Sequence, residues 1–271
     1  MPSPWYPRDE REISRFLSGF SKNPPFSRAA VSPHAGWYYC GRLAARAVSS
    51  LEPEAQTVVV LGGHLPSGAP PLFAMEDAVK TPFGPMSIDS QMRSFLLERI
   101  GGEEDRFRDN TVEVLLPMVR FYFPQAKLLW LRLPAEIASL EAGKAIAQAQ
   151  TALDRSVNVL ASTDLTHYGR NYGFSPQGTG QNALRWMREV NDAAFIKALE
   201  SGDSEEVLKR VEQDCSACSC GAVLGAMGFA REAGLGGARL LEYSTSADVV
   251  EGDAPDSFVG YAALAFEKRD N

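Results

Sequence analysis

Apolar residues in this chain form two patterns, short runs bounded by turn residues and longer stretches with helical spacing. The short runs predict β-strands and the longer stretches predict α-helices. The predicted strands are Ala29–Val31, Thr57–Leu61, Lys127–Leu133, Val157–Ala161, Arg239–Tyr243 and Phe258–Phe266. The predicted helices are Glu10–Phe20, Gly41–Leu51, Ser90–Ile100, Glu113–Phe123, Ile137–Leu153, Ala183–Glu200, Ser204–Glu212 and Gly221–Ala233. Because strands and helices alternate, we expect an α/β fold with a largely parallel sheet and an antiparallel edge formed by the last strands.

The chain shows no internal repeat and no break in composition, which predicts a single domain over residues 1–271. Its hydrophobic content of 45% is ample for a buried core. One segment, Gly169–Gly180, is rich in Gly, Ser and Asn and predicts a mobile loop over a site.

The net charge of the chain argues against some classes of binding partner. A formal net charge of -7 argues against nucleic acid and anionic membranes as main partners. No apolar run approaches the roughly 20 residues that a membrane span needs, and the first ten residues have no signal-peptide core. Four cysteines in a chain of this length do not form a disulfide scaffold. We therefore expect a cytoplasmic protein with reduced thiols.

Three histidines are the only ones in the chain, and each follows a predicted strand: His34, His64 and His167. In an open α/β sheet, the loops after the carboxyl ends of the strands line the ligand crevice. Neutral imidazole is a common ligand of Zn, Cu, Fe and Ni. The shared position predicts a metal or catalytic site, although any one of these imidazoles alone could simply satisfy a backbone carbonyl.

A fourth candidate, Cys218, lies where the last predicted helix begins. A helix N-terminus stabilises a thiolate, which is the form that binds metal or acts as a nucleophile. Two alternatives stay open. Cys218 could be a small buried hydrophobe, or it could join Cys215 and Cys220 in a soft metal clip, which would lack the fourth ligand of a zinc ribbon. Cys40 is more typical of core packing.

Two acidic residues lie near these positions in the sequence. Asp164, three residues before His167, could orient an imidazole, act as a base or cap the turn. Glu113 interrupts an apolar stretch and indicates a solvated helix face. Walker, dinucleotide-binding and Gly-x-Ser-x-Gly motifs are absent from the sequence, so phosphate and dinucleotide chemistry have no support.

Several ordered stretches also match a known pattern. They are Pro33–Gly41, Leu61–His64, Thr81–Gly84 with Asp89, Ser162–Gly169, Cys218 with Gly221, Tyr243–Ser246 with Asp248, and Val259–Ala263. Through them the chain resembles, from Trp5 to Ala265, the Memo family, which is called AmmeMemoRadiSam system protein B in prokaryotes. The resemblance implies a three-layer α/β/α fold with a mostly parallel, mixed central sheet, similar to the class III extradiol dioxygenases.

Those dioxygenases hold non-haem Fe(II) with two histidines and a glutamate, and Memo-like proteins have a cysteine in place of the glutamate. By motif, the resemblance implies a metal triad of His34, His64 and Cys218. It also implies that His167 and Asp164 form the remaining polar wall, with His167 as acid/base and Asp164 orienting it. The implied cofactor is a divalent or redox metal ion, with Fe(II) or Cu favoured and Zn possible.

The sequence departs from the family pattern in three places. Asn110 and Leu115 stand where family members commonly have histidines, the loop before His64 is shortened, and Ala222 replaces the usual proline. A pocket poorer in imidazole, with apolar surface added by Leu115, would hydrogen-bond a catechol poorly. We therefore expect weak or absent extradiol cleavage.

Three functions follow as hypotheses. The first is a metal-binding, redox-active protein with a His/His/Cys site, acting on an unidentified small molecule. The second is a non-catalytic adaptor that binds a peptide in a vestigial cleft and acts with AMMECR1-like and radical SAM proteins. The third is a zinc-dependent hydrolase, supported only by ligand chemistry.

Overall fold

A computed structural model describes residues 5–20, 25–250 and 255–268, so residues 1–4 of the segment tested for a signal peptide lie outside it. The strands are β1 (Ala29–Ser32), β2 (Thr57–Leu65), β3 (Leu72–Phe73), β4 (Ala78–Thr81), β5 (Gly84–Ser87), β6 (Glu103–Glu104), β7 (Lys127–Pro134), β8 (Val157–Ser162), β9 (His167–Gly169), β10 (Leu235–Thr245) and β11 (Ser257–Lys268). The helices are α1 (Glu10–Ser18), α2 (Trp37–Ser49), α3 (Ser90–Ile100), α4 (Asn110–Glu113), α5 (Leu116–Tyr122), α6 (Ser139–Ala152), α7 (Gln181–Trp186), α8 (Ala193–Ser201), α9 (Ser204–Asp214) and α10 (Cys220–Glu232).

Within the described ranges, nine strands form a mixed sheet in the order β10-β11-β1-β8-β2-β7-β3-β6, with β9 added to β11. The central strands β1, β8, β2 and β7 run parallel, and β10 and β11 form an antiparallel edge beside β1. Residues of β1, β8 and most of β2 are buried, as parallel strands covered on both faces require.

Helices cover both faces of this sheet. Successive strand residues point to opposite faces, and Leu61 reaches Gly225 of α10 whereas Gly62 lies against Thr111 of α4. Helices α10 and α6 therefore pack on one face, and α4, α5 and α2 pack on the other. The predicted α/β/α architecture with a mixed central sheet is confirmed, and the four central strands of this sheet are parallel. Among the helices described, none combines the length and apolarity needed to cross a bilayer.

Two predicted helices are divided in the structure. The stretch Glu113–Phe123 becomes α4 and α5, because Pro117 lacks the N–H that would continue the first helix. The stretch Ala183–Glu200 contains a π-helical turn, Met187–Asp192, between α7 and α8. This turn places Asn191 and Asp192 in the protein interior.

The short strands β3 to β6 and β9 were not predicted. Strands of two to four residues with mixed exposure carry too little alternation to be recognised. The predicted loop 169–180 contains a 3₁₀ turn, Arg170–Tyr172, and wraps around the buried ring of Tyr168. The Tyr168 hydroxyl donates to Gly178 O and accepts from the Gln177 N–H.

Candidate metal centre

Three adjacent parallel strands bring the candidate site together. His34 follows β1, Asp164 follows β8 and His64 lies near the end of β2. Cys218 approaches the same edge from the start of α10. Its N–H donates to Asp164 O at 3.2 Å, and the next N–H, of Ser219, donates to Thr163 Oγ1 at 3.1 Å. These backbone contacts fix the thiol against the strand ends.

The side chains of His34, His64 and Cys218 converge. One nitrogen of each imidazole and the Cys218 sulfur lie within 4.8 Å of one another. His34 Nε2 is 3.3 Å from Cys218 Sγ, and the two imidazole rings stand edge to face, 5.1 Å between centroids. The sequence predicted this convergence, and the role of the three residues as metal ligands stays a prediction.

His34 is fully buried and held from three directions. Its ring Nδ1 lies 2.9 Å from Ser162 Oγ, and its backbone N–H donates to Asp164 Oδ1 at 2.7 Å. Asn110 Nδ2 donates to its carbonyl oxygen at 3.3 Å. The ring therefore presents Nε2 to the thiol in a fixed orientation.

His64 is held differently. Its side chain is about one-third exposed, 32%, and its backbone adopts the left-handed region at φ 60°. Nδ1 lies 3.3 Å from Asp109 Oδ2. The hydrogen bond to Asp109, with a second contribution from Cys218, raises the pKa of His64 to about 10. Burial by itself raises the pKa of Asp109, but hydrogen bonds from His64 and Thr111 bring that pKa well below its usual range.

These charges favour a thiolate. Burial alone raises the pKa of Cys218, but the charge of His34 and hydrogen bonds to both imidazoles bring that pKa well below the ordinary thiol value. Thiolate is the form in which cysteine binds metals.

Asp164 and His167 form a wall of the same site. Asp164 Oδ2 lies 3.9 Å from His34 Nε2 and 3.8 Å from His167 Nε2, which is ion-pair range rather than hydrogen-bond range. Burial raises the pKa of Asp164, and the two imidazoles reverse this and lower it. Burial lowers the pKa of His167, and Asp164 and Cys218 reverse this and raise it. Tyr172 stacks on the His167 ring at 4.9 Å.

The other cysteines do not join the cluster of His34, His64 and Cys218. Cys215 is exposed and caps the end of α9 in a left-handed conformation, and Cys220 is buried at the first position of α10. Among the described residues, the group of possible metal ligands contains Cys218 but neither Cys215 nor Cys220, so the soft metal clip is not formed there. Cys40 is buried, as expected for a cysteine in core packing, and its thiol donates to Ala35 O at 3.3 Å.

Two expectations about neighbouring positions need correction. Leu115 is fully buried in the main hydrophobic core, because the chain breaks between α4 and α5 and turns it inward. It therefore adds no apolar surface to the site, and the expected weakness of catechol cleavage rests on Asn110. Glu113 is about one-fifth exposed, beside Arg108, rather than on an open solvated face.

A family model described as Memo-like protein matches residues 3–265 of this chain. The chain belongs to the Memo family. Similar relatives are MEMO1 family proteins of Thermococcus onnurineus, 30% identical with 97% of each chain covered, and Methanococcoides burtonii, 31% identical with 94% of this chain and 92% of the relative covered. The crystal structure of an uncharacterized Escherichia coli protein aligns with a TM-score of 0.48 at 12% identity, covering 87% of this chain and 98% of that one.

In this Memo-family protein, sequence reasoning missed three residues around His64. Asp109 contacts the imidazole, and Arg132 contacts Asp109 and the buried Asp105. One signal was present, since Arg132 is a charge inside the apolar run of β7. Asp109 gave no such signal, and in the structure it also caps α4 by accepting the Thr111 N–H.

Proposed function

We propose that this Memo-family protein binds one transition-metal ion through His34, His64 and Cys218 and uses it in redox chemistry on a small molecule. The observation that carries the proposal is the convergence of the three donor groups within 4.8 Å. Two imidazoles and a thiolate suit Fe(II), Cu or Zn.

The groups around these three ligand side chains are suited to a bound metal ion. Metal-binding imidazoles usually place their second nitrogen on a hydroxyl, carbonyl or carboxylate. Here the outer nitrogen of His34 meets Ser162, and that of His64 meets Asp109. A bound ion would supply Lewis acidity and, for iron or copper, electron transfer. On binding, the two ligating imidazoles would release their protons, and Cys218 would bind as the thiolate.

His167 and Asp164 would handle protons in this site. His167 lies on the wall with its side chain 34% exposed, so a substrate oxygen can reach it. Asp164 stabilises the charged imidazole, because its carboxylate is buried and lies close by. This pair suits an acid/base role near neutral pH.

The test starts from protein purified without chelators, followed by metal analysis, an O₂-uptake screen and titration with Co(II). We expect about one ion per chain, bound through sulfur. Cys218→Ser should weaken the binding of soft metals far more than Cys215→Ser, its matched control, because only Cys218 lies in the cluster. Equal effects of the two substitutions, or no binding by the wild type, would refute the proposal.

A second candidate is a binding cleft without catalysis. It is favoured by exposed tyrosines near the site: Tyr38, Tyr39 and Tyr172 are 70%, 42% and 47% exposed. Such rings are suited to contacts with a peptide. On the family resemblance, we also propose a cytoplasmic location and AMMECR1-like and radical SAM partners. Co-purification with wild-type protein and with His34→Gln would separate the candidates, since partner capture that survives the substitution favours the cleft.

A further inference from the structure

Arg132 is a buried cation next to the candidate metal centre. Its side chain is only 6% exposed, in the middle of β7. Nε donates to Asp105 Oδ2 at 2.8 Å and Nη2 donates to Asp105 Oδ1 at 2.9 Å, a two-pronged ion pair. A buried charge is costly unless it is paired and hydrogen-bonded, and this pair satisfies the Nε–Nη2 edge of the guanidinium.

The remaining terminal nitrogen of Arg132, Nη1, contacts two residues beside His64. Nη1 lies 3.3 Å from Asp109 Oδ2 and 3.5 Å from Gly63 O. The same Asp109 oxygen lies 3.3 Å from His64 Nδ1. Guanidinium, carboxylate and imidazole therefore form a continuous chain that ends at the cluster.

Asp109 has little freedom to turn away from this chain. Its other oxygen, Oδ1, accepts the Thr111 N–H at 2.9 Å. Thr111 Oγ1 in turn accepts the Gly63 N–H at 3.3 Å, which ties the loop to the strand end. A side chain at Gly63 would collide with Ser219, so this strand end also fits closely against the start of α10.

The two imidazoles of the cluster thus differ in their outer partners. The outer nitrogen of His34 contacts the neutral hydroxyl of Ser162. The outer nitrogen of His64 contacts the Asp109 carboxylate, which is itself paired with the buried guanidinium of Arg132. His64 is also the more exposed of the two, and its backbone is in the left-handed region. Its orientation consequently depends more on an external partner.

We infer that Arg132 and Asp109 are positioning residues that direct the Nε2 atom of His64 toward Cys218 and so set the metal affinity of the centre. The inference rests on the proposed metal-binding function. A carboxylate partner fixes the ring and increases the basicity of the ligating nitrogen. Arg132 keeps that carboxylate charged and in place.

The deciding variant is Asp109→Asn, a neutral substitution of nearly equal shape. The matched control is Asp203→Asn, since Asp203 caps α9 through its side chain just as Asp109 caps α4. Co(II) would be titrated into each protein and followed by the thiolate-to-metal absorption band. We expect Asp109→Asn to lower the affinity about 10- to 100-fold and to keep the band, because Cys218 is untouched. Asp203→Asn should leave the affinity within about twofold of wild type, since its capping role lies outside the centre.

A second readout needs no metal. The chain has three histidines, so imidazole ¹⁵N–¹H spectra of histidine-labelled protein are simple, and His64→Gln assigns the signal. We expect an exchange-protected His64 Nδ1 proton in the wild type, faster exchange in Arg132→Lys and loss of the signal in Asp109→Asn. Circular dichroism would confirm that each variant is folded.

The outcomes separate the two claims. If wild type binds Co(II) but folded Asp109→Asn binds it within twofold as well, the inference is wrong and the proposed function stands. If wild type binds no Co(II), the proposed function fails, and the claim about affinity falls with it. An unprotected His64 proton in the wild type would overturn the positioning chain itself.

Discussion

Asp192 is a buried carboxylate whose ionisation should show directly in the stability of the protein. It ends the π-helical turn and is fully buried. It accepts hydrogen bonds from the N–H and hydroxyl of Thr166 and, at 2.7 Å, from the hydroxyl of Tyr243. Burial outweighs these donors and raises the pKa of Asp192 from 3.8 to about 6.

The magnitude follows from the difference between the two pKa values. About two pH units correspond to about 3 kcal/mol, of which about 2 kcal/mol develops between pH 4 and pH 7. Between the two pKa values the unfolded chain has released the proton of Asp192 while the folded protein still holds it. The free energy of unfolding therefore decreases as pH rises and stops decreasing, for this group, above the folded-state pKa.

Asp192→Asn cannot ionise and should lack this slope. We expect the stability of the variant relative to wild type to rise by about 2 kcal/mol from pH 4 to pH 7, measured by urea unfolding with circular dichroism at four pH values. Tyr243→Phe serves as the converse test, because it removes a donor that favours the ionised form and should steepen the slope. Parallel curves for wild type and Asp192→Asn would show that Asp192 is already ionised at pH 4 and would refute the reasoning.

Three further predictions test packing and the site. Gly143→Ala would place a methyl group 1.8 Å from Gly225 O between α6 and α10, so urea unfolding should show a loss of about 1–3 kcal/mol; an unchanged midpoint would contradict this close approach. Tyr172→Ala removes the ring stacked on His167, and diethyl pyrocarbonate should then modify His167 faster while the metal content stays the same. His167→Gln should retain Co(II) and lose any turnover, whereas His34→Gln should lose the ion; equal losses of metal would make His167 a fourth ligand.

Local pattern was enough to predict much of the fold. The strands β1, β2, β7 and β8 follow from apolar runs, because a strand buried on both faces has a continuous apolar sequence. The positions of His34 and His64 at strand ends are likewise visible along the chain. Since parallel strands end at the same edge of a sheet, convergence of these residues could be expected before the strand order was known.

Only the tertiary structure decided what surrounds the cluster. Asp109 lies 45 residues from His64 in the chain, and Arg132 reaches Asp105 and Asp109 from β7. Such pairs carry no periodic signal, because hydrogen bonds between distant side chains depend on which strands become neighbours. The same holds for Leu115, whose burial follows from the break between α4 and α5 and from the packing of both helices on the sheet. Secondary structure is encoded within short windows of sequence, whereas the partners of a buried charge are settled only when the whole core packs.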